Sequence, residues 1–169
     1  MPRRRVIVVG AGPAGLMAAG QSAVTGAETI LLEKMDHHYA AGQYFVRPAL
    51  YALSPHDLRS FFVERGVPTE VQRGGRVFPV SEDARDVVDA LIKWARGQGV
   101  ILRTRSAVSR LIVEGKRVAG VEVRGDGSYQ GDAVVIATGG ASYPSTGSSG
   151  DGYALAESVG HTIVPVRPA

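Results

Sequence analysis

Cysteine is missing from this 169-residue chain. Its absence excludes a disulfide scaffold, a cysteine-ligated zinc site, an iron–sulfur cluster and a cysteine nucleophile. Lysine is scarce: only Lys34, Lys93 and Lys116 occur, and none of them stands in the glycine spacing of a Walker A phosphate loop. No apolar run approaches the ~18–20 residues of a membrane-spanning helix. We therefore expect a soluble, cytoplasmic protein that does not contact a membrane.

Glycine, by contrast, is abundant: 22 of the 169 residues are glycine, where a share of about 7% is usual. The net charge of +3 comes mostly from arginine. The run Arg3-Arg4-Arg5 has no second basic block and no interleaved aromatic residues, so we interpret it as a solvated lead-in and predict no nucleic-acid partner. The adjacent pair His37-His38 lacks the spacing of a helical metal site, and no metal is predicted.

The pattern of apolar and polar residues predicts an α/β fold in one domain, residues 1–169, a usual length for a single domain. Helices are expected at 13–25, from Ser54 to Gly66, from Ser81 to Gly97 and at 153–159, with Ser54 and Ser81 as N-terminal caps. Strands are expected at 5–9, 28–33, 76–78, 100–102, 107–113, 117–124, 128–130, 132–137 and 162–166. The three strands between 107 and 130 form an antiparallel meander.

A glycine-rich turn, GAGPAG at residues 10–15, follows the first strand and opens the first helix. In this G-x-G-x-x-G pattern Gly10 permits the tight turn, Gly12 lets the backbone approach a pyrophosphate, and Gly15 lets the helix pack closely on the strand. Pro13 occupies the first helical turn, where proline is tolerated. The unpaired N–H groups of the helix start attract phosphate. The turn therefore predicts a dinucleotide site.

Glu33 ends the second predicted strand. Its distance from Gly15 in the sequence is close to the ~20 residues after which an acidic residue holds a ribose hydroxyl. A carboxylate at this place repels a 2′-phosphate, so NADP is disfavoured in this loop. FAD and NAD both remain open on this motif alone.

A second glycine-rich loop follows the strand at 132–137 and extends from Thr138 to Gly152. Before that strand lies the antiparallel meander, where a plain NAD-type Rossmann unit would place another strand–helix crossover. The order of elements is similar to that of the FAD domain in flavoproteins that bind two dinucleotides, which is an analogy of fold. It favours FAD, and an NAD-binding Rossmann domain is the alternative.

The chain resembles the BaiN/aminoacetone-oxidase-like family of FAD-dependent flavoproteins. The matching stretches are VIVVGAGPAGLMAA, LLEK, GGRVFPVSEDARDVVDAL and VVIATGGASYPSTGSSGDGYALAESVGHTIVP, which together cover most of the chain. The resemblance implies a Rossmann-like FAD/NAD(P)-binding domain of an oxidoreductase. Its flavin would pass two electrons to or from an unknown small molecule, with NAD(P)H as a candidate electron donor. No catalytic residue is assigned, because the flavin ring carries the redox step.

The resemblance also implies the cofactor contacts. The first loop and Glu33 would hold the ADP part, Val108 would lie by the adenine, and the start of the second loop would run along the cofactor. The end of the second loop would lie nearer the flavin ring. The residues implied are Gly10, Gly12, Pro13, Ala14, Gly15, Glu33, Lys34, Val108, Ala137, Thr138, Gly139, Gly150, Asp151 and Gly152.

The chain departs from the family pattern in two ways. After Lys34 the family has a further glycine-rich stretch with Lys or Arg, whereas this chain has MDHHYAA at 35–41. The family also continues into an inserted substrate domain and a C-terminal return, which we expect to be absent here. We therefore expect a partial FAD-binding domain, with a second chain or self-association completing the site. A non-catalytic remnant, or half of a split flavoprotein, is a further alternative.

Overall fold

The structure, a computed structural model, describes residues 3–33, 53–142, 147 and 149–166. The chain separates into two compact units, one formed by Met1–Tyr39 with Ala95–Ala169 and the other by Ala40–Trp94. The prediction of one domain over residues 1–169 stays a prediction. In chain order the elements of the described segments are β1 (Arg5–Val9), α1 (Pro13–Val24), β2 (Glu28–Leu32), α2 (Pro55–Val63), β3 (Thr69–Gln72), β4 (Arg76–Pro79), α3 (Ala84–Gly97), β5 (Ile101–Arg103), β6 (Val108–Glu114), β7 (Arg117–Val123), β8 (Gly127–Gln130), β9 (Ala133–Ile136) and α4 (Asp151–Glu157).

A parallel sheet in the order β5-β2-β1-β9 is the centre of the first unit. Helix α1 connects β1 to β2 and packs on both strands, because parallel neighbours need a crossover that runs back along the sheet. The strands are short and β-branched, as buried parallel strands usually are. This β1-α1-β2 unit confirms the Rossmann-like α/β fold.

Different elements pack on the two faces of the parallel sheet. Successive side chains of a strand point to opposite faces, so Val8 and Leu31, which are fully buried, lie on the face where α1 packs. The other face meets the meander β6-β7-β8, which is antiparallel as predicted. The core on that side consists of Ile7, Val9, Ile30, Leu32, Leu111, Val121, Val123 and Leu155.

In the second unit, helix α2 begins as its sequence indicates. The Ser54 hydroxyl accepts a hydrogen bond from the Asp57 backbone N–H (3.1 Å), and the Asp57 carboxylate accepts one from the Ser54 N–H (3.0 Å). These bonds satisfy donors that the first turn leaves without helical partners. Donation by the hydroxyl and backbone N–H of Ser54 also lowers the pKa of the Asp57 carboxyl below its usual value. The predicted cap at Ser54 is therefore confirmed.

For the remaining elements, two expectations were wrong and one strand was missed. Asp83, not Ser81, caps α3, because its Oδ1 accepts the Arg85 N–H at 2.9 Å. Strand β3 was not predicted, although it pairs with β4 along its whole length. The strand expected at 162–166 is not formed, since these residues have no ladder partner among the described residues. Residues 34–52, for which no helix or strand is predicted, lie outside the described residues.

Candidate cofactor site

The turn between β1 and α1 brings the two glycine-rich loops into contact. Gly10 has a φ of +99°, a conformation that side chains disfavour. A Cβ at this position would lie 2.5 Å from the carbonyl oxygen of Ala137 and 2.8 Å from the Cα of Thr138. The first loop therefore packs against the end of β9 with no room for a side chain.

Gly12 and Gly15 differ in what surrounds them. A Cβ on Gly15 would lie 1.7 Å from the carbonyl oxygen of Gly10, whereas a Cβ on Gly12 would meet no described atom within 4 Å. Gly15 therefore serves the close packing of α1 on the turn. Gly12 faces open space beside the start of the helix, where a pyrophosphate would approach the backbone.

The start of α1 suits an anion. Gly12 is the N-cap residue and Pro13 follows it, no side chain caps the helix within the described residues, and no acidic residue lies in its first turn. The N–H groups of Ala14 and Gly15 therefore point out of the helix without helical partners. Together with the open side of Gly12, they fit the diphosphate of a dinucleotide.

Glu33 is held at the end of β2 by three hydrogen bonds. Its Oε2 accepts the backbone N–H of Ala11 at 2.6 Å. Its own backbone N–H donates to the carbonyl of Arg103 (3.0 Å), and its carbonyl accepts the N–H of Ser106 (2.9 Å). The carboxylate is thus fixed between the first loop and the segment after β5, at the carboxyl edge of the sheet, where ligands bind in open α/β folds.

A cavity of about 360 Å³, which includes space open to solvent, lies at this edge. Two carboxylates, two hydroxyls and several apolar side chains line it, and none of its described lining residues is a lysine or an arginine. The lining residues are Val9, Gly10, Leu32, Glu33, Ser106, Val108, Thr138, Asp151 and Leu155.

The second loop closes on itself before α4 begins. The N–H of Gly150 donates to the carbonyl of Gly140 (3.1 Å), and the Ser149 hydroxyl donates to Oδ1 of Asp151 (2.8 Å). A Cβ on Gly152 would lie 2.2 Å from Oγ1 of Thr138. Gly152 is therefore buried against Thr138, and this packing places Asp151 at the cavity.

The structure brings together only some of the residues that the resemblance implies. Gly10, Glu33, Val108, Thr138 and Asp151 share the cavity. The other described ones flank it: Gly12, Pro13 and Ala14 form the start of α1, while Gly15, Ala137 and Gly152 make backbone packing contacts. Gly139 and Gly150 do not line the cavity, and Lys34 lies outside the described residues. The contacts of all these residues with FAD stay predictions.

Sequence reasoning missed Ser106, which is 5% exposed and lines the cavity. Its N–H donates to the Glu33 carbonyl, and its hydroxyl donates to the Thr104 carbonyl (3.1 Å). No motif marks a single serine before a strand. Its position depends on β5 lying beside β2, which is a tertiary feature.

Comparison with known proteins identifies the family. The family described as "HI0933-like protein Rossmann domain" matches residues 36–167, more than half of the chain. The chain belongs to the HI0933-like family. Residues 5–47 also match a family described as "FAD binding domain", which covers the first glycine loop and Glu33. The chain is therefore an FAD-binding Rossmann domain of the flavoprotein oxidoreductases, and FAD is its cofactor.

Two relatives and one solved structure show the extent of the similarity. The chain is 30% identical to a 3-dehydro-bile acid delta(4,6)-reductase of Clostridium scindens, over 98% of this chain and 46% of that protein. It is 28% identical to a ribosomal RNA dihydrouridine synthase of Haemophilus influenzae, over 95% of this chain and 46% of that protein. An L-proline dehydrogenase of P. horikoshii shares the fold, with a TM-score of 0.67 and 14% identity. The match covers 98% of this chain and 58% of that protein.

The chain spans about half the length of the curated relatives it matches. One relative is named for a bile acid and the other for ribosomal RNA, so the predicted absence of a nucleic-acid partner is not supported. None of the helices in the described segments is both long and apolar enough to cross a membrane. Within the same segments, no three His, Cys, Asp or Glu side chains are grouped to hold a metal ion.

Proposed function

We propose that this chain is the FAD-holding part of a cytoplasmic oxidoreductase that acts on a small molecule. The observation that carries the proposal is the cavity at the carboxyl edge of the sheet, where Glu33 and Asp151 lie beside the open start of α1. When bound there, FAD supplies two-electron transfer. NAD(P)H is our candidate electron donor, and the family's two named substrates leave the substrate itself open.

The residues around the cavity support the assignment of different residues to different groups in the ADP part of FAD. The N–H groups of Ala14 and Gly15 hold the diphosphate, while Glu33 accepts hydrogen bonds from ribose hydroxyls. Asp151 shares the cavity with Glu33 and Val108, so we place its carboxylate at the ADP part as well. Gly139, Gly150 and Lys34 remain our candidates for contacts further along the cofactor. The two carboxylates that line the cavity also disfavour a 2′-phosphate.

Purified chain mixed with FAD is expected to retain it through gel filtration and to show the visible absorbance of bound flavin. Glu33→Gln and Asp151→Asn should each weaken FAD binding roughly tenfold, because each removes a charged acceptor whose hydrogen bonds contribute about 1.5–3 kcal/mol. Glu157→Gln is the control, since Glu157 is an exposed carboxylate on the same helix as Asp151 and lies outside the cavity lining.

A colourless wild-type protein that refuses added FAD would contradict the proposal. Tighter binding of NAD than of FAD, measured by calorimetry, would instead favour the plain NAD-binding domain. Equal FAD affinity of the Glu33, Asp151 and Glu157 variants would overturn the assignment of the cavity while leaving FAD binding itself intact.

We further propose that a second copy of the chain, or another chain, completes the site. Strand β9 pairs with β1 on one side, and the described residues supply no strand for its other side. Ile136, at the end of β9, is 36% exposed. An open edge of this kind is a template for a further strand. Sedimentation at increasing protein concentration should show a dimer that FAD stabilises; a chain that binds FAD tightly as a monomer would refute this proposal.

A further inference from the structure

The segment after β5 contains an unusual backbone conformation. Arg105 has a φ of +56°, and among the described residues only Glu82 shares a positive φ without being glycine. Side chains disfavour this region because Cβ comes close to the backbone. A glycine would make the same turn without that strain, and strained residues of this kind cluster at ligand sites.

Four hydrogen bonds around Arg105 hold the turn. Arg103 and Ser106, its neighbours, bond to the backbone of Glu33 on both sides, at 3.0 and 2.9 Å. The Ser106 hydroxyl bonds to the Thr104 carbonyl at 3.1 Å, and the N–H of Arg124 bonds to the carbonyl of Ala107 at 2.9 Å. The position of Arg105 is therefore tied directly to that of Glu33.

The topology puts this turn at the ligand edge of the sheet. Strands β2 and β5 are parallel with Leu32 opposite Arg103, so both carboxyl ends lie side by side. Ser106, which directly follows Arg105, lines the cavity with Glu33 and Val108. The backbone of Arg105 therefore lies at the same edge of the sheet as Glu33, one residue from the cavity lining.

The side chain of Arg105 makes no polar contact that stabilises the fold within the described segments. The residue is exposed, and its guanidinium makes no hydrogen bond or ion pair with any described residue. A guanidinium is planar, stacks on aromatic rings and donates up to five hydrogen bonds. Its charge also suits a neighbouring cavity whose described lining includes two carboxylates.

We propose that Arg105 binds the adenosine half of FAD, with its guanidinium against the adenine. The inference rests on the proposed assignment of the cavity to the ADP part. It adds a contact from the segment after β5 to those from the start of α1, Glu33 and Asp151. Stacking of a guanidinium on an aromatic ring when water is excluded implies an effect of roughly tenfold on affinity.

The test is Arg105→Gly in the full chain, with ADP as the probe by calorimetry and FAD by fluorescence. Glycine keeps the backbone turn without strain, so the melting temperature should stay equal or rise while ADP and FAD bind roughly tenfold more weakly. Glu82→Gly is the matched control, because it relieves the same kind of strain in the other unit. It should leave both affinities unchanged.

Three results separate the outcomes. Weaker ADP binding in Arg105→Gly with unchanged binding in Glu82→Gly supports the contact. Unchanged ADP binding in Arg105→Gly, in a protein whose Glu33→Gln variant binds ADP weakly, overturns the role of Arg105 alone. If wild-type and Glu33→Gln bind ADP equally, the assignment of the cavity fails and the inference about Arg105 fails with it.

Discussion

Gly12→Ala is expected to fold as well as the wild-type chain and to lose FAD. Gly12 has φ −64° and ψ 175°, which alanine adopts freely, and a Cβ there meets no described atom within 4 Å. The added methyl group would instead occupy the space that the diphosphate needs. Displacing the diphosphate costs charge-assisted hydrogen bonds of about 1.5–3 kcal/mol each. Loss of two such bonds weakens binding by about a hundredfold or more.

The measurement for Gly12→Ala is an FAD titration followed by flavin fluorescence, beside a thermal melt without FAD. Gly97→Ala is the control, because Gly97 also has open space around its Cβ position and no positive φ but lies at the end of α3. Equal FAD affinity of Gly12→Ala and Gly97→Ala would show that the diphosphate does not lie at the start of α1.

Gly15→Ala is expected to have the opposite effect and to destabilise the fold itself. Its Cβ would lie 1.7 Å from the carbonyl oxygen of Gly10, and neither group can rotate away, because both belong to the backbone. The helix would have to move off the turn, which would pull its own residues Leu16 and Ala19 out of the core, where they are fully buried. Overpacking typically costs about 1–3 kcal/mol and occasionally more, a large part of a typical stability of about 5–15 kcal/mol.

Urea unfolding of the cofactor-free protein measures this loss, with Gly12→Ala as the partner variant only three residues away. A lower denaturation midpoint for Gly15→Ala than for Gly12→Ala is the expected order. If the two variants unfold at the same urea concentration, α1 does not pack on the turn as closely as the structure indicates. The pair thereby separates the glycine that serves the ligand from the glycine that serves the fold.

Much of the first unit could be predicted because its signals are local. The run Arg5–Val9 is β-branched and ends in glycine, and β1 has these bounds. Pro13 and the glycines around it indicate the start of α1 within one residue. The turn at Glu114-Gly115-Lys116 predicts the β6-β7 pair, whose register places Glu114 opposite Arg117. Each of these features depends on residues within a few positions of one another.

The errors arose where the secondary structure depends on contacts with other elements and not on the local sequence. Val164 and Val166 carry a strand-like pattern, yet they are 80% and 58% exposed, since a strand needs a partner for its backbone groups. In β3 the polar residues Glu70 and Gln72 do not give the apolar pattern of a strand. The strand forms because β4 pairs with it. At α3, Glu82 takes a φ of +57°, so the helix begins after Asp83 and the cap is not Ser81.

The sequence by itself determined the nucleotide-binding turn, because the spacing of Gly10, Gly12 and Gly15 and the charge of Glu33 are local properties. It also gave a preference for FAD, through the order of the predicted elements and the family resemblance. Only the tertiary structure decided that Asp151 and Ser106 share one cavity with Glu33 and that Arg105 is tied to the same place. These residues are far apart in the chain. They meet because parallel strands bring their carboxyl ends to one edge of the sheet, and no local pattern records which strands become neighbours.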